Sequence, residues 1–144
     1  MSIKPPSTQK GVSLLEVMVA VLILSFGMLG LAAMQTNALR NNQSSFQKNQ
    51  AIMLSYFMID AIRLDRTSSG SYAMTKTCTV PSSASGVIAT NKKLWLQHIQ
   101  DNLGANGCGE VSCNANNCTV RIYWNDERGT GGSSSAVLET NTRI

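Results

Sequence analysis

Lys10-Gly11-Val12-Ser13-Leu14-Leu15-Glu16-Val17-Met18-Val19-Ala20 opens the stretch whose reading decides the fold. From Val12 to Met34 the chain runs for 23 residues, eighteen of them apolar, and between Lys10 and Arg40 the only charged side chain is Glu16. A helix over this run is about 35 Å long at about 1.5 Å per residue, enough to cross a hydrocarbon core of about 30 Å. A secretory signal fits less well. Its apolar core ends after about 7 to 15 residues at a small-residue cleavage site, whereas this run passes through Met34 into a helical pattern. Glu16 is the anomaly, because insertion scales charge about 2.5 to 3.5 kcal/mol for an acidic residue at the centre of a span. The cost is smaller near a helix end, yet a carboxylate there still calls for a compensating partner.

Working outward, Lys4 and Lys10 precede the apolar run and match the basic flank that stays cytoplasmic. Basic leader, Gly11, Glu16 as the fifth residue from Val12, and a spanning apolar run together resemble the class III signal of type IV prepilins and type II secretion pseudopilins. The resemblance implies that a prepilin peptidase cuts between Gly11 and Val12, that Val12 is N-methylated, and that the helix stays as the mature N-terminus. The family usually has phenylalanine or methionine where this chain has Val12. Cleavage creates an α-ammonium group, and Glu16 of a neighbouring subunit can neutralise it once both leave the bilayer, which offsets the burial cost. The charge also suits the positive end of its own helix. Gly27 and Gly30 each cost about 1 kcal/mol against alanine inside a helix. They read either as a small surface for close helix packing or, by the resemblance, as a place where the helix loosens in the filament.

Beyond Met34 the pattern becomes amphipathic without a break. Leu39, Phe46, Met53 and Phe57 form one stripe, widened by Leu54, Met58, Ala61 and Ile62, at helical spacings. One helix is therefore expected from about Val12 to Leu64, with no proline between Ser7 and Val80 to interrupt it. Arg66 to Thr90 reads as a loop, since thirteen of its 25 residues are Ser, Thr or Gly, with one edge strand around Met74 to Val80. A short helix is predicted over Asn91 to Leu103, capped by Thr90 or Asn91, with Leu94, Trp95, Ile99 and Leu103 buried. His98 sits beside that face in a surface or half-buried structural role. Thr119 to Trp124 alternates Val120, Ile122 and Trp124 against Thr119, Arg121 and Tyr123, which is a strand with one buried face. Asp126 to Ser135 makes a turn, and Ala136 to Thr142 returns as the partner strand.

The four cysteines, Cys78, Cys108, Cys113 and Cys118, all follow the apolar run, on the side that would reach an oxidising compartment. Their C-x4-C-x4-C spacing lacks the close pairs of zinc sites, so disulfides are favoured over a metal. Three connectivities are open. A hairpin joining Glu110 to Cys113 with Cys118 to Tyr123 would bring Cys113 and Cys118 together and leave Cys78 for Cys108. A head of 80 residues after Leu64 is close to the size at which a single core benefits from such staples.

These readings sum to an α+β fold of the pilin type: one long N-terminal helix whose second half packs on a small antiparallel sheet carrying a short extra helix. The segments are a leader (1–11), a membrane or filament-core half-helix (12–34), an amphipathic half (35–65) and a periplasmic head (66–144). Asp60-Ala61-Ile62-Arg63, the Trp95 helix, the glycines from Gly104 to Gly109 and the Val120-Arg121-Ile122-Tyr123-Trp124 strand add a looser resemblance to PilV-type minor pilins, the type IV pilus modification proteins. That resemblance implies a minor pilin of a priming or tip complex, supporting pilus assembly, twitching motility and adhesion. The implied partners are the prepilin peptidase, other minor and major pilins, the inner-membrane assembly platform and, before assembly, the inner membrane itself. A single pass with a periplasmic head, followed by display on the pilus, is the expected location.

Two rivals stand beside it, a minor pseudopilin of type II secretion and an anchored binding module with a patch of Arg121, Tyr123, Arg128 and Arg143. Without the leader, ten basic residues face eight acidic ones with no charge runs, so no nucleic-acid partner is expected. No cofactor, metal or enzymatic activity is expected either. The sequence holds a single histidine, no phosphate loop and no Ser-His-Asp set.

Overall fold

A computed structural model of the chain describes residues 11–114 and 116–144. The predicted leader residues 1–10, Lys4 and Lys10 among them, lie outside the described residues. The chain divides into two units, the first ending at Asn37 and the second spanning Ala38–Ile144.

In the first unit the described residues are Gly11, Val12 and Ser13, followed by helix α1, which begins at Leu14 and continues into the second unit as far as Leu64. The Ser13 carbonyl accepts the first two helical hydrogen bonds, from the amides of Glu16 and Val17. An 18-residue window of this helix has a mean hydropathy of 2.5 and is 0 % buried within the chain. Gly27 and Gly30 do not interrupt it. Nearby, Ser25 and Thr36 return their hydroxyls to the carbonyls of Val21 and Ala32, so these side chains satisfy themselves without an outside partner.

The second unit is built on the rest of α1. After it come a 3-10 segment (Arg66–Tyr72), strand β1 (Met74–Thr77), helix α2 (Val87–Leu103), and strands β2 (Cys108–Asn114), β3 (Asn117–Trp124) and β4 (Ala136–Arg143). The four strands form one sheet in the order β1-β2-β3-β4, every pair antiparallel. This is the α+β, pilin-like architecture expected from the sequence.

The core lies between α1, α2 and one face of the sheet. From α1 come Ala51, Leu54, Met58, Ile59 and Ile62, from α2 Trp95, Leu96, Ile99 and Leu103, and from the sheet Val111, Val120, Ile122 and Trp124. Trp95 is the hub. Its indole Nε1 donates to the Leu54 carbonyl at 2.8 Å, which joins the two helices. A side chain at Gly109 would overlap the Trp95 ring, so glycine lets β2 pass close beneath it.

The buried face of α1 takes in Leu54, Met58 and Ile62 from the expected face but not its leading stripe. Leu39, Phe46, Met53 and Phe57 are exposed, Met53 to 64 %, whereas Ser44, Ala51, Leu54, Ser55, Met58, Ile59 and Ile62 are buried. Phe46, Met53 and Phe57 each follow Ser44, Ala51 or Ser55 by two positions, which at 3.6 residues per turn places them about 200° round the helix. Ser44, Ala51 and Ser55 share the inner face with Leu54, Met58, Ile59 and Ile62. Ala51 is 0 % exposed and Ser55 1 %.

Helix α2 also departs in two ways. It starts at Val87, with Gly86 at φ 84° as its N-cap, and Thr90 sits inside the first turn, returning its hydroxyl to the Gly86 carbonyl at 2.9 Å. The polar Thr90-Asn91 pair imitated a cap, while the true start is a glycine in a backbone conformation that side chains resist. Leu96, not Leu94, completes the buried face. Leu96 precedes Ile99 by three and Leu103 by seven, whereas Leu94 precedes Ile99 by five, about 140° round the helix. The loop reading missed the 3-10 turns that bury Tyr72. The edge strand is shorter than expected and stops at Thr77, just before Cys78.

Both disulfides lie in the second unit, Cys78–Cys108 and Cys113–Cys118, with a Cα separation of 4.1 Å in each. Cys113 and Cys118 face each other across the β2–β3 hairpin. Cys78–Cys108 fastens the chain leaving β1 to the start of β2.

Candidate functional site

The sequence singled out a site at the start of α1. Gly11 and Val12 precede the helix and are exposed, and a side chain built at Gly11 would meet nothing within 4 Å. The backbone at this point is open to a processing enzyme. Glu16 lies in the first helical turn, where the exposed amide groups and the helix dipole favour a negative charge. Among the described residues no cation lies within ion-pair distance of it.

Glu16 is surrounded by the exposed apolar side chains of Val12, Val17, Ala20, Val21 and Leu24. A carboxylate in such surroundings, one turn from Val12, can accept an ammonium group. The rest of the unit repeats that apolar surface, since every residue from Leu14 to Asn37 is exposed. Gly27 and Gly30 lie on it with open space where a side chain would stand.

The polar groups of the second unit are arranged differently: many bond to one another, although buried Trp124 Nε1 and Asp126 Oδ1 have no partner among the described residues. Asp126, 3 % exposed, accepts a hydrogen bond from the Ser44 hydroxyl at 2.7 Å and has the Lys48 ammonium at 3.8 Å. Thr130 N–H donates to Asn41 Oδ1 at 3.1 Å. The β3–β4 connection is thereby tied to α1. Neither contact was read from the sequence, because 82 and 89 residues separate the partners. The one available signal was a Ser and an Asn on an otherwise unassigned helical face.

On the outer face of the sheet, Arg121 Nε donates to Glu139 at 2.6 Å and Arg121 Nη1 to Glu110 at 3.1 Å. Tyr123 donates its hydroxyl to Glu110 at 2.6 Å. The bond from Arg121 holds the Glu139 carboxyl below the usual carboxylate range, with a smaller contribution from Asn141. Acceptance by Glu110 pushes the Tyr123 phenol up. Arg121 and Tyr123 are thus committed to carboxylates within the sheet, and the four-residue patch weighed as a binding surface does not converge. Arg128 lines a polar cleft with Gln43 and Asp101, and Arg143 lies beside Asn141. His98 is exposed, with its ring edge-on to Phe57 at 6.3 Å.

A family profile described as the prokaryotic N-terminal methylation motif matches residues 6–32, which contain Gly11, Val12, Glu16, Gly27 and Gly30. Neither the curated proteins nor the solved structures yield a match to this chain.

Proposed function

We propose, from the premise that this chain is a type IV pilin-like protein, that it is a minor pilin, processed by a prepilin peptidase between Gly11 and Val12 and incorporated into the priming or tip complex of a pilus. The single observation that carries this reading is Glu16: a carboxylate without a cationic partner among the described residues, on a stretch of helix from Leu14 to Asn37 in which every residue is exposed. Such a helix is stable in lipid and equally stable against other helices of its kind, so it supports passage from membrane to filament. Burying the carboxylate alone costs several kcal/mol. The ammonium group freed on Val12 of a neighbouring subunit offsets that cost and sets the axial register.

The second half of α1 supports the same reading. Leu39, Phe46 and Met53 form an exposed apolar stripe, which neighbouring helices would cover in a filament. The head contributes a disulfide-stapled body suited to an oxidising periplasm. Pilus assembly, and through it twitching motility and attachment, is the function that follows.

Coexpression with a prepilin peptidase and N-terminal sequencing test the first step. A mature chain starting at Val12 is expected, and an intact Met1 overturns the proposal. Glu16→Ala is expected to leave membrane insertion intact while the protein disappears from sheared filaments. Recovery with a type II secretion assembly instead of with pili would reassign the chain to the pseudopilins.

A further inference from the structure

The sheet has two unlike edges. At one side, β1 has four residues and an irregular register between Met74 and Thr77. Lys76 lies over the Tyr123 ring at 4.2 Å, and the strand ends against the Cys78–Cys108 staple. Shortness, a register break and a lysine are the devices by which proteins close an edge to further pairing. At the other side, β4 runs for eight residues in unbroken register with β3, from Trp124↔Ala136 to Asn117↔Arg143. Ala-Val-Leu-Glu-Thr-Asn-Thr-Arg contains no proline, glycine or lysine. In an antiparallel pair alternate residues turn their N–H and C=O groups away from the partner strand, so about half of β4 offers donors and acceptors outward. Among the described residues no further strand pairs with them.

The side chains along β4 describe what would fit. Toward the helices, Leu138 and Ile144 pack against the core while remaining partly open, and Thr140 and Thr142 bond to Ser55 and Arg63 of α1. On the outer face Glu139 is already held by Arg121, whereas Arg143 has no ion pair among the described residues. An added strand would therefore meet a half-covered apolar ledge on one side and an unneutralised cation on the other.

Topology supplies the direction. In a sheet ordered β1-β2-β3-β4 with every pair antiparallel, β1 and β4 run oppositely. A head of the same architecture, standing alongside in the same orientation, presents its first strand antiparallel to β4. This chain's own β1 is a poor candidate, because it spans only four residues, has an irregular register and offers a lysine but no acid. Antiparallel pairing of β4 with a second β4 would reverse one head relative to the other, which neighbours in one membrane cannot adopt, and parallel pairing would turn the helix-bearing faces of the two sheets to opposite sides.

We infer that β4 is an acceptor edge for an extended strand from the head of a different pilin-like chain, one carrying an acidic residue opposite Arg143. The shared orientation rests on the filament reading above. Main-chain hydrogen bonds supply the affinity, and the Arg143 pairing supplies the choice of partner.

The test uses the full-length chain in cells that assemble the filament, with a photo-crosslinking phenylalanine analogue at Asn141 and mapping by mass spectrometry. The expected result is a crosslink to an extended segment in the head of another pilin-like chain. Val137→Lys, on an exposed position of the edge, should lower the yield about tenfold with the melting temperature of the head unchanged. Arg143→Glu should lower it as well, with recovery when the opposing acid is changed to lysine. Hydrogen exchange on the detergent-solubilised chain gives a second measure: the outward amides of β4 should exchange much faster than those bonded to β3. Equal protection of the two sets overturns the inference, as do crosslinks to β1 or β4 of a second copy, to lipid, or to nothing. Absence of the crosslink in a chain processed at Val12 and present in filaments sinks only this edge. An unprocessed chain sinks the filament reading and removes the shared orientation on which the edge depends.

Discussion

The two halves of α1 share one backbone conformation and opposite surroundings. From Leu14 to Asn37 every side chain is exposed and most are apolar, while between Ser44 and Ile62 seven residues are buried and two of those are serines. Greasiness is therefore a poor guide to which half lies in a core. The apolar half is covered by nothing within its own unit. One face of the more polar half is buried because α2 and the sheet pack with it in a common core, through Leu54, Met58, Ile59 and Ile62 as well as Ala51.

The largest expected effect that would break this contrast is Trp95→Ala. Removing the fully buried indole that reaches Leu54 should cost the head about 3 to 5 kcal/mol, read as a lowered melting temperature of disulfide-intact protein, with membrane insertion unaffected. Replacing Cys78 and Cys108 together by serine should cost about 2 to 4 kcal/mol. The same change at Cys113 and Cys118 should cost less, since only 5 positions separate that pair against 30 for the other. Equal losses would show that loop length is not the controlling factor.

Ser44→Ala sharpens the contrast from the polar side. It removes a hydrogen bond from a buried carboxylate and should cost about 1 to 3 kcal/mol, although Ser44 is a polar residue of the helix. Leu22→Ala, on the exposed half, should change head stability by less than about 0.5 kcal/mol while reducing recovery in filaments. A large melting shift from Leu22→Ala would show that the apolar half packs on its own head.

The smallest effect concerns pH at the outer face. The carboxyl of Glu139 has a folded pKa below its unfolded value, so the preference for the folded state is fully present above the ordinary carboxylate range. It fades as pH falls through the lower folded value. Carboxyl chemical shifts of Glu139 should show a midpoint under the usual one, returning to it in Arg121→Gln. A midpoint insensitive to Arg121 would remove the ion pair as its cause.

Much of the architecture was legible because local periodicity reports it. Alternation at Val120, Ile122 and Trp124 marked β3 and its buried face, and the run from Val12 marked the helix. Legibility failed where two patterns competed on the same element. On α1 the heavier stripe of Phe46 and Met53 outweighed Ala51 and Ser55 by hydrophobicity, and on α2 Thr90 imitated a cap three residues past the true start. Tyr72 was hidden in a Ser-rich passage whose composition signals a loop. The N-terminal motif was legible because its parts lie close together in the chain, Gly11 to Glu16 spanning six residues. The Ser44–Asp126 tie was not, since its partners are distant in the chain.

By itself the sequence determined the apolar helix, its single carboxylate and the alternation that makes strands, because each depends on side chains a few residues apart. Only the tertiary structure decided which face of α1 is covered, and that one edge of the sheet is short and irregular while β4 is long and regular. Those outcomes depend on what approaches from far along the chain, and nearest-neighbour chemistry carries no record of that approach.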